Sequence, residues 1–161
     1  MIKNKGFRTA IKLIISLAVP LTIGGIAGIF TAESVPEWYA TLNKPSFNPP
    51  DWIFGPVWTF LYLVMGWSLY LIWEQASSRA RNMALIAFGI QLTLNFGWSF
   101  FFFYFKMPGL ALAEIIVLWL SILFMLYFFH RIRPWAAYSN IPYLLWVSFA
   151  TILNAAYYSL N

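Results

Sequence analysis

The sequence predicts an all-α membrane protein, a bundle of five transmembrane helices. Hydrophobic residues make up 61% of the 161 residues and charged residues only 9%. A globular domain in water carries about 25% charged residues, so this chain has too few polar groups to cover a water-facing surface. The long apolar stretches are continuous and not alternating, which favours helices over a β-barrel. Each stretch is long enough to cross a hydrocarbon core of about 30 Å.

The first apolar stretch is predicted to be a retained helix and not a cleaved signal. Basic residues precede it, as they do in secretory signals, but the run from Leu13 to Phe30 has about the length of a full span. Short breaks such as Met107-Pro108-Gly109 separate the later spans. A single domain over 1–161 is expected, with spans at about 9–31, 53–74, 82–105, 109–130 and 135–159.

The basic residues predict the orientation. Eight of the ten fall on the side shared by the N-terminus and the loops after spans two and four. By the positive-inside rule, the N-terminus is cytoplasmic, and the C-terminus and the long first loop, about 32–52, lie outside. The eight residues are Lys3, Lys5, Arg8, Lys12, Arg79, Arg81, Arg131 and Arg133, and the other two are Lys44 and Lys106.

The first loop and span two contain a concentration of prolines and aromatic residues. Prolines fix the backbone of this segment and remove hydrogen-bond donors, so its shape is largely rigid. Tryptophans and tyrosines add large flat surfaces with one polar group each. The segment is therefore expected to cover a rigid, aromatic-walled site at the outer end of the bundle. Its prolines are Pro45, Pro49, Pro50 and Pro56, and its aromatic residues with a polar group are Trp52, Trp58, Tyr62, Trp67, Tyr70 and Trp73.

Polar side chains on spans three and five recur at helical spacing. Gln91, Asn95 and Ser99 share one face of span three. An amide in hydrocarbon needs a partner, so Gln91 and Asn95 are expected to face the bundle interior, either at a cavity or as interhelical hydrogen bonds. A second stripe, on span five, consists of Pro142, Trp146, Ala150 and Asn154.

Conventional chemistry is not indicated. The chain has no cysteine, and no Ser/His/Asp set, metal cluster or glycine-rich phosphate loop occurs in the sequence. We expect neither a metal nor a required cofactor. The net charge of +5 reflects the orientation bias, and nucleic-acid binding is not expected.

The motifs resemble the TspO/MBR family of tryptophan-rich sensory proteins and translocator proteins. The resemblance covers essentially the whole chain. It rests on Trp38-Tyr39, Lys44-Pro45, Pro49-Pro50, Pro56-Val57-Trp58, Leu61-Tyr62, Met65-Gly66, Gln91, Leu94-Asn95, Trp98, Pro142-Tyr143, Trp146, Phe149-Ala150 and Leu153-Asn154.

The resemblance implies a five-helix bundle, usually a homodimer, in a bacterial cell membrane. Its expected ligands are porphyrins such as protoporphyrin IX, bound under the first loop, and its expected function is that of a receptor or regulator. The positions that match the family's pocket are Tyr39, Pro45, Trp58, Tyr62, Gln91, Asn95, Trp98, Trp146 and Ala150.

Two other functions stay open. Some family members are credited with light-dependent porphyrin breakdown, for which Trp58 and Trp146 are the candidate catalytic residues. A tetrapyrrole or sterol transporter is weaker, because no inverted repeat is evident. Sterol binding is doubtful, since Tyr157 is followed by no basic residue of the animal sterol pattern. That pattern does occur at Leu123, Tyr127 and Arg131, where chance explains it.

Several prominent residues have simpler interpretations. Trp52, Trp73 and Trp135 fit interfacial belts, and Trp67 and Trp119 fit packing or lipid contact. Glu114 is the only acidic residue well inside a span and is therefore a functional candidate. The alternative is that its carboxylate reaches water or Lys106 and has no direct role in ligand binding. Gly24 and Gly28 have a spacing that fits either a dimer face or packing within the bundle. His130 is interpreted as an interfacial residue.

Overall fold

Five membrane-length helices form the molecule, as the sequence predicts. The computed structural model describes the backbone of residues 2–161 and the side chains from Gly6 onward, so the side chains of Lys3 and Lys5 lie outside the described residues. Within that range the chain is helical and contains no strand. The long helices are α1 (Ile2–Ser34), α2 (Phe54–Trp73), α3 (Arg79–Ser99), α4 (Pro108–Ile132) and α6 (Ile141–Leu160), with a short α5 (Pro134–Tyr138) before α6.

The fifth predicted span is interrupted near its start. The segment Pro134–Leu160 matches the predicted fifth span at about 135–159, and within it Ser139 and Asn140 form a turn that separates α5 from α6. Pro142 lies in the first turn of α6, where its missing N–H needs no partner. Asn140 is fully buried, and its Nδ2 donates to the carbonyl of Ala136 at 2.8 Å. The turn at the break therefore pairs the amide nitrogen of Asn140, whereas its Oδ1 is buried without a hydrogen-bond partner among the described residues.

The third predicted span ends in a π-helical turn, Phe100–Tyr104, which follows α3 directly. One extra residue enters this turn, since the N–H of Phe105 donates to the carbonyl of Phe100 at 2.8 Å. The chain then reverses through Lys106, whose φ of 56° lies in the left-handed region. The turn changes the directions of Phe102 and Phe103 relative to a continuous α-helix.

The ends of the bundle are each tied together by specific contacts. At one end Lys12 on α1 forms a 2.8 Å salt bridge with Glu74, just past α2. At the other end, here called the lid end, the first loop contacts the C-terminus, where the amide N–H of Asn43 donates to Oδ1 of Asn161 at 2.9 Å. The first loop, residues 35–53, is here called the lid. It contains two 3₁₀ turns, Tyr39–Thr41 and Asp51–Ile53.

Close packing between α1 and α2 depends on two glycines. A Cβ on Gly66 would lie 2.7 Å from the carbonyl oxygen of Ser16 and 2.8 Å from Cα of Leu17, both in the α1 backbone. A Cβ on Gly24 would lie 2.1 Å from the ring of Tyr62. For Gly24 the structure therefore shows packing within the bundle, one of its two sequence interpretations.

Gly66→Ala is expected to destabilise the bundle by about 1–3 kcal/mol, because backbone atoms of α1 must move to admit the methyl group. The measurement is thermal unfolding in detergent, in which the Tm should fall. Gly89→Ala is the matched control, since Gly89 is an exposed helical glycine whose Cβ would meet nothing within 4 Å. Equal Tm changes in the two variants would contradict the packing argument.

Candidate ligand-binding site

A cavity of about 440 Å³ lies beneath the lid. Small-molecule sites typically measure about 300–1,000 Å³, so this cavity has a suitable size. Helices α1, α2, α3 and α6, the π-helical turn and the lid all contribute to its wall. The aromatic residues of the wall are Tyr39, Phe54, Trp58, Tyr62, Trp98, Phe102, Phe103, Trp146 and Tyr157.

Six of the nine predicted pocket residues line this cavity. They come from four separate parts of the chain and are Tyr39, Trp58, Tyr62, Trp98, Trp146 and Ala150. The other three lie elsewhere. Pro45 is buried within the lid, and Gln91 and Asn95 are buried inside the bundle, outside the cavity lining.

The wall on α2 is a stacked aromatic pair. The rings of Trp58 and Tyr62 are 5.6 Å apart at an interplanar angle of 29°. On the α6 side, the indole of Trp146 meets the ring of Phe54 edge-on, with centroids 5.9 Å apart. The indole N–H of Trp146 is buried and has no hydrogen-bond partner among the described residues. A ligand with an acceptor on this side would satisfy that donor.

Behind this wall, a chain of buried hydrogen bonds holds Tyr62 in place. The hydroxyl of Tyr62 donates to Oδ1 of Asn95 at 2.6 Å. Asn95 Nδ2 donates to the hydroxyl of Tyr143 at 3.2 Å, and Tyr143 in turn donates to Oε1 of Gln91 at 2.8 Å. The expectation that Gln91 and Asn95 face the bundle interior is confirmed. In this arrangement both amides position the wall from behind it.

The α3 wall is fixed through α6 and α4. Trp98 Nε1 donates to Oδ1 of Asn154 at 3.0 Å, and Asn154 Nδ2 donates to the carbonyl of Pro108 at 2.8 Å. The indole of Trp98 stacks on Phe102 of the π-helical turn at 5.5 Å and 27°. The hydroxyl of Ser34 on α1 donates to the carbonyl of Phe103 at 2.9 Å. The π-helical turn is thus tied to α1 on one side and to Trp98 on the other.

The lid is held down by a triangle of polar atoms. The hydroxyl of Tyr157 on α6 lies 2.8 Å from the hydroxyl of Tyr39 and 2.8 Å from Oδ1 of Asn48, and the Tyr39 hydroxyl donates to that same oxygen at 3.1 Å. Burial raises the pKa of Tyr39 above its ordinary value, which keeps this phenol protonated as a donor. The lid therefore has a fixed position over the cavity.

The charged part of the cavity lining is close to the lid. Asp51 is the one charged residue of the lining. Its carboxylate accepts from Nζ of Lys44 at 3.2 Å, and that ammonium also lies 4.6 Å from the ring centroid of Tyr39. The rest of the lining is largely apolar and aromatic. The site is thus amphipathic, with a mostly apolar lining and an ion pair at the lid end.

Sequence reasoning did not find several of the lining and lid residues. The α1 face of the cavity consists of small and aliphatic side chains, which carry no chemical signature in a hydrophobic helix. Asn48 lies between prolines in a loop, where its partner cannot be read from spacing. Tyr157 had a weak signal, because it continues the α6 stripe one turn beyond Asn154.

The other aromatic residues and His130 have places outside the cavity lining. Trp52 and Trp135 are about three-quarters exposed, at 74% and 73%. Trp119 Nε1 donates to the hydroxyl of Ser148 at 2.8 Å, which is packing between α4 and α6. His130 is exposed, with its ring 5.5 Å from that of Tyr138. Among the described residues no group of three or more His, Asp or Glu side chains could hold a metal.

Glu114 on α4 lies against α3. One carboxylate oxygen is 3.6 Å from the position of a Cβ on Gly97. Both oxygens are buried without a hydrogen-bond partner, and neither forms a salt bridge with Lys106 within the described part of the chain. The residue does not line the cavity. Its carboxyl group is thus an unpaired polar group in an apolar contact between two helices.

The fold and the site define a multi-pass helical membrane protein with an aromatic cavity under a proline-rich loop. The chain belongs to the TspO/MBR family, whose profile matches residues 16–159.

Named relatives agree with this assignment. The chain is 43% identical over 155 residues to the tryptophan-rich protein TspO of Archaeoglobus fulgidus, covering 94% of this chain and 97% of that protein. It is 37% identical over 125 residues to the tryptophan-rich sensory protein of Cereibacter sphaeroides, covering 78% and 77%. It is 37% identical over 121 residues to the human translocator protein, covering 73% and 71%.

Glu114→Met is expected to raise the Tm in detergent by about 2–6 °C, because it removes an unpaired buried carboxyl group and keeps a similar volume. Glu74→Met is the matched control. It breaks the salt bridge to Lys12, so it should leave the Tm unchanged or lower. A fall in Tm for Glu114→Met would show that the carboxyl group has a stabilising partner and would contradict the prediction.

Proposed function

We propose that this protein is a membrane receptor or regulator that binds porphyrins in the cavity beneath the lid. The observation that carries the proposal is the placement of Trp58, Tyr62 and Trp146 around one cavity of about 440 Å³. A porphyrin is a large flat aromatic ring, and indole and phenol faces are suited to stack on it. The positions expected from the family resemblance and those found in the cavity coincide at this wall.

The ion pair at the lid end supports the same ligand class. Protoporphyrin IX carries two carboxylates on one edge of an otherwise apolar disc. With the disc between the aromatic walls, this edge fits at the lid end, where Lys44 lies just outside the cavity lining and supplies an ammonium group that is shared with the carboxylate of Asp51. The amphipathic character of the cavity thus matches an amphipathic guest better than a uniformly apolar one. The proposal gives no role to a metal, and a homodimer remains a prediction from the family resemblance alone.

A light-dependent porphyrin-degrading enzyme is the second candidate. The two candidate indoles, those of Trp58 and Trp146, line the same cavity, as does that of Trp98. A photoexcited porphyrin is an oxidant toward indole when the two are in contact, and dioxygen would serve as the terminal oxidant of the ring. The geometry of binding and of such chemistry is the same, so a measurement of product formation is needed to separate the two functions.

Titration with protoporphyrin IX in the dark and under illumination tests both functions. We expect saturable tryptophan quenching in the dark, weakened about tenfold in Kd by Trp58→Phe or Trp146→Phe through loss of stacking area. Trp135→Phe is the control, because Trp135 is exposed and lies outside the cavity. A new absorbing product that requires light, Trp58 and Trp146 would favour the enzyme. Absence of saturable binding would overturn both functions.

Lys44→Gln is expected to raise the Kd for protoporphyrin IX about two- to fivefold, since a partly exposed ion pair contributes up to about 1 kcal/mol. Etioporphyrin, which has no carboxylates, should bind to the variant and the unmodified protein equally well. Lys106→Gln is the matched control, because Lys106 is the other basic residue near the lid end. An equal loss of affinity for both porphyrins would indicate a structural effect of Lys44 on the lid.

A further inference from the structure

The cavity is closed on most of its sides. Above it, the lid is fastened to α6 by the Tyr39, Asn48 and Tyr157 triangle. The lid is also fastened to the C-terminus, where Asn43 Nδ2 donates to the carbonyl of Leu160 at 3.2 Å and Asn161 Nδ2 donates to the carbonyl of Asn43 at 3.3 Å. Below it, the ring of Tyr62 lies against Gly24 and leaves no room for even a methyl group.

One side of the cavity is open, between the lid-end halves of α1 and α2. Residues there line the cavity and are themselves exposed, whereas Ala150, Leu153 and Tyr157 of the α6 wall are buried. On α1 the exposed lining residues are Gly25, Gly28 and Ala32, and on α2 they are Gly55 and Thr59. A Cβ on Gly25, Gly28 or Gly55 would meet nothing within 4 Å. The three glycines therefore leave space that no neighbouring side chain fills.

The position of this gap determines what it faces. It lies along the flank of two membrane-spanning helices, Gly6–Ser34 and Asp51–Trp73. The neighbouring exposed residues are large and apolar, such as Ile29 on α1 and Phe60 on α2, at 60% and 53% exposure. Such a surface contacts lipid and not water. The open side of the cavity thus leads into the hydrocarbon or the interface of the bilayer.

We propose that the cavity exchanges its ligand directly with the bilayer, through the gap between the lid-end halves of α1 and α2, with the lid closed. This inference rests on the proposed function. It defines the ligand class by its physical state, as a flat amphiphile dissolved in the membrane and not one captured from water. The ring passes sideways between the helices, and its polar edge stays at the level of Lys44 and Asp51.

Narrowing the gap tests this route. Gly28→Leu combined with Gly55→Leu places two large side chains in space that the structure shows to be empty. The displacement of bound protoporphyrin IX by excess haemin in the same bilayer measures the dissociation rate. We expect that rate to fall about tenfold while the Kd from equilibrium titration changes less than about threefold, because a barrier slows both directions equally. Ala32→Leu provides a second, single-site narrowing should the double variant fold poorly.

Two controls separate the gap from the lid. Gly89→Leu adds the same side chain at an exposed glycine away from the cavity and should leave the exchange rate unchanged. Asn43→Cys with Asn161→Cys, joined by a short thiol-reactive cross-linker, locks the lid to the C-terminus in a chain that otherwise has no cysteine. The locked protein should exchange porphyrin at the unmodified rate.

The outcomes are distinct. An unchanged rate in the leucine variants, or a rate slowed by the locked lid, would overturn lateral exchange and leave porphyrin binding intact. Faster dissociation with a raised Kd would also overturn it, because the leucines would then act on the pocket and not on its entrance. Failure of the unmodified protein to bind protoporphyrin IX would instead overturn the proposed function, before any rate is compared.

Discussion

The buried hydrogen-bond chain from Tyr62 through Asn95 and Tyr143 to Gln91 is the constraint on which the rest of the structure depends. In a membrane there is no water to satisfy these groups, so they pair with one another, and only Nε2 of Gln91 has no partner among the described residues. The chain links α2, α3 and α6 at one level of the bundle. It fixes the ring of Tyr62, which in turn supports Trp58 and closes the cavity against Gly24.

The sequence predicts the number of spans, the long first loop and the interior position of Gln91 and Asn95. These features follow from hydropathy and from the cost of unpaired amides, both of which are local properties of the chain. The depth of a residue within the bundle depends instead on how the helices pack, which a short stretch of sequence does not determine. Spacing places Asn95 on the same face as Ser99, but only packing shows that Ser99 lines the cavity and Asn95 lies behind its wall.

Other features escaped prediction for different physical reasons. The break at Ser139 and Asn140 depends on a tertiary burial of Asn140 that hydropathy does not register. The contribution of α1 was missed because its cavity residues are small, and a small residue is read from sequence as a packing contact. Here Gly24 makes such a contact, whereas Gly28, one helical turn further on, leaves space. The two glycines of one motif thus have different roles, close packing at Gly24 and open space at Gly28.

The π-helical turn of Phe100–Tyr104 has a consequence for how this scaffold can vary. Its additional residue shifts the helical register between α3 and the chain that follows it. Losing one residue there would let α3 continue as an ordinary helix and would rotate everything after it by about 100°, the angle of a single helical step. Phe102 and Phe103 would then point elsewhere, with no change in composition. The length of this segment, more than the identity of its phenylalanines, therefore sets the shape of one side of the cavity.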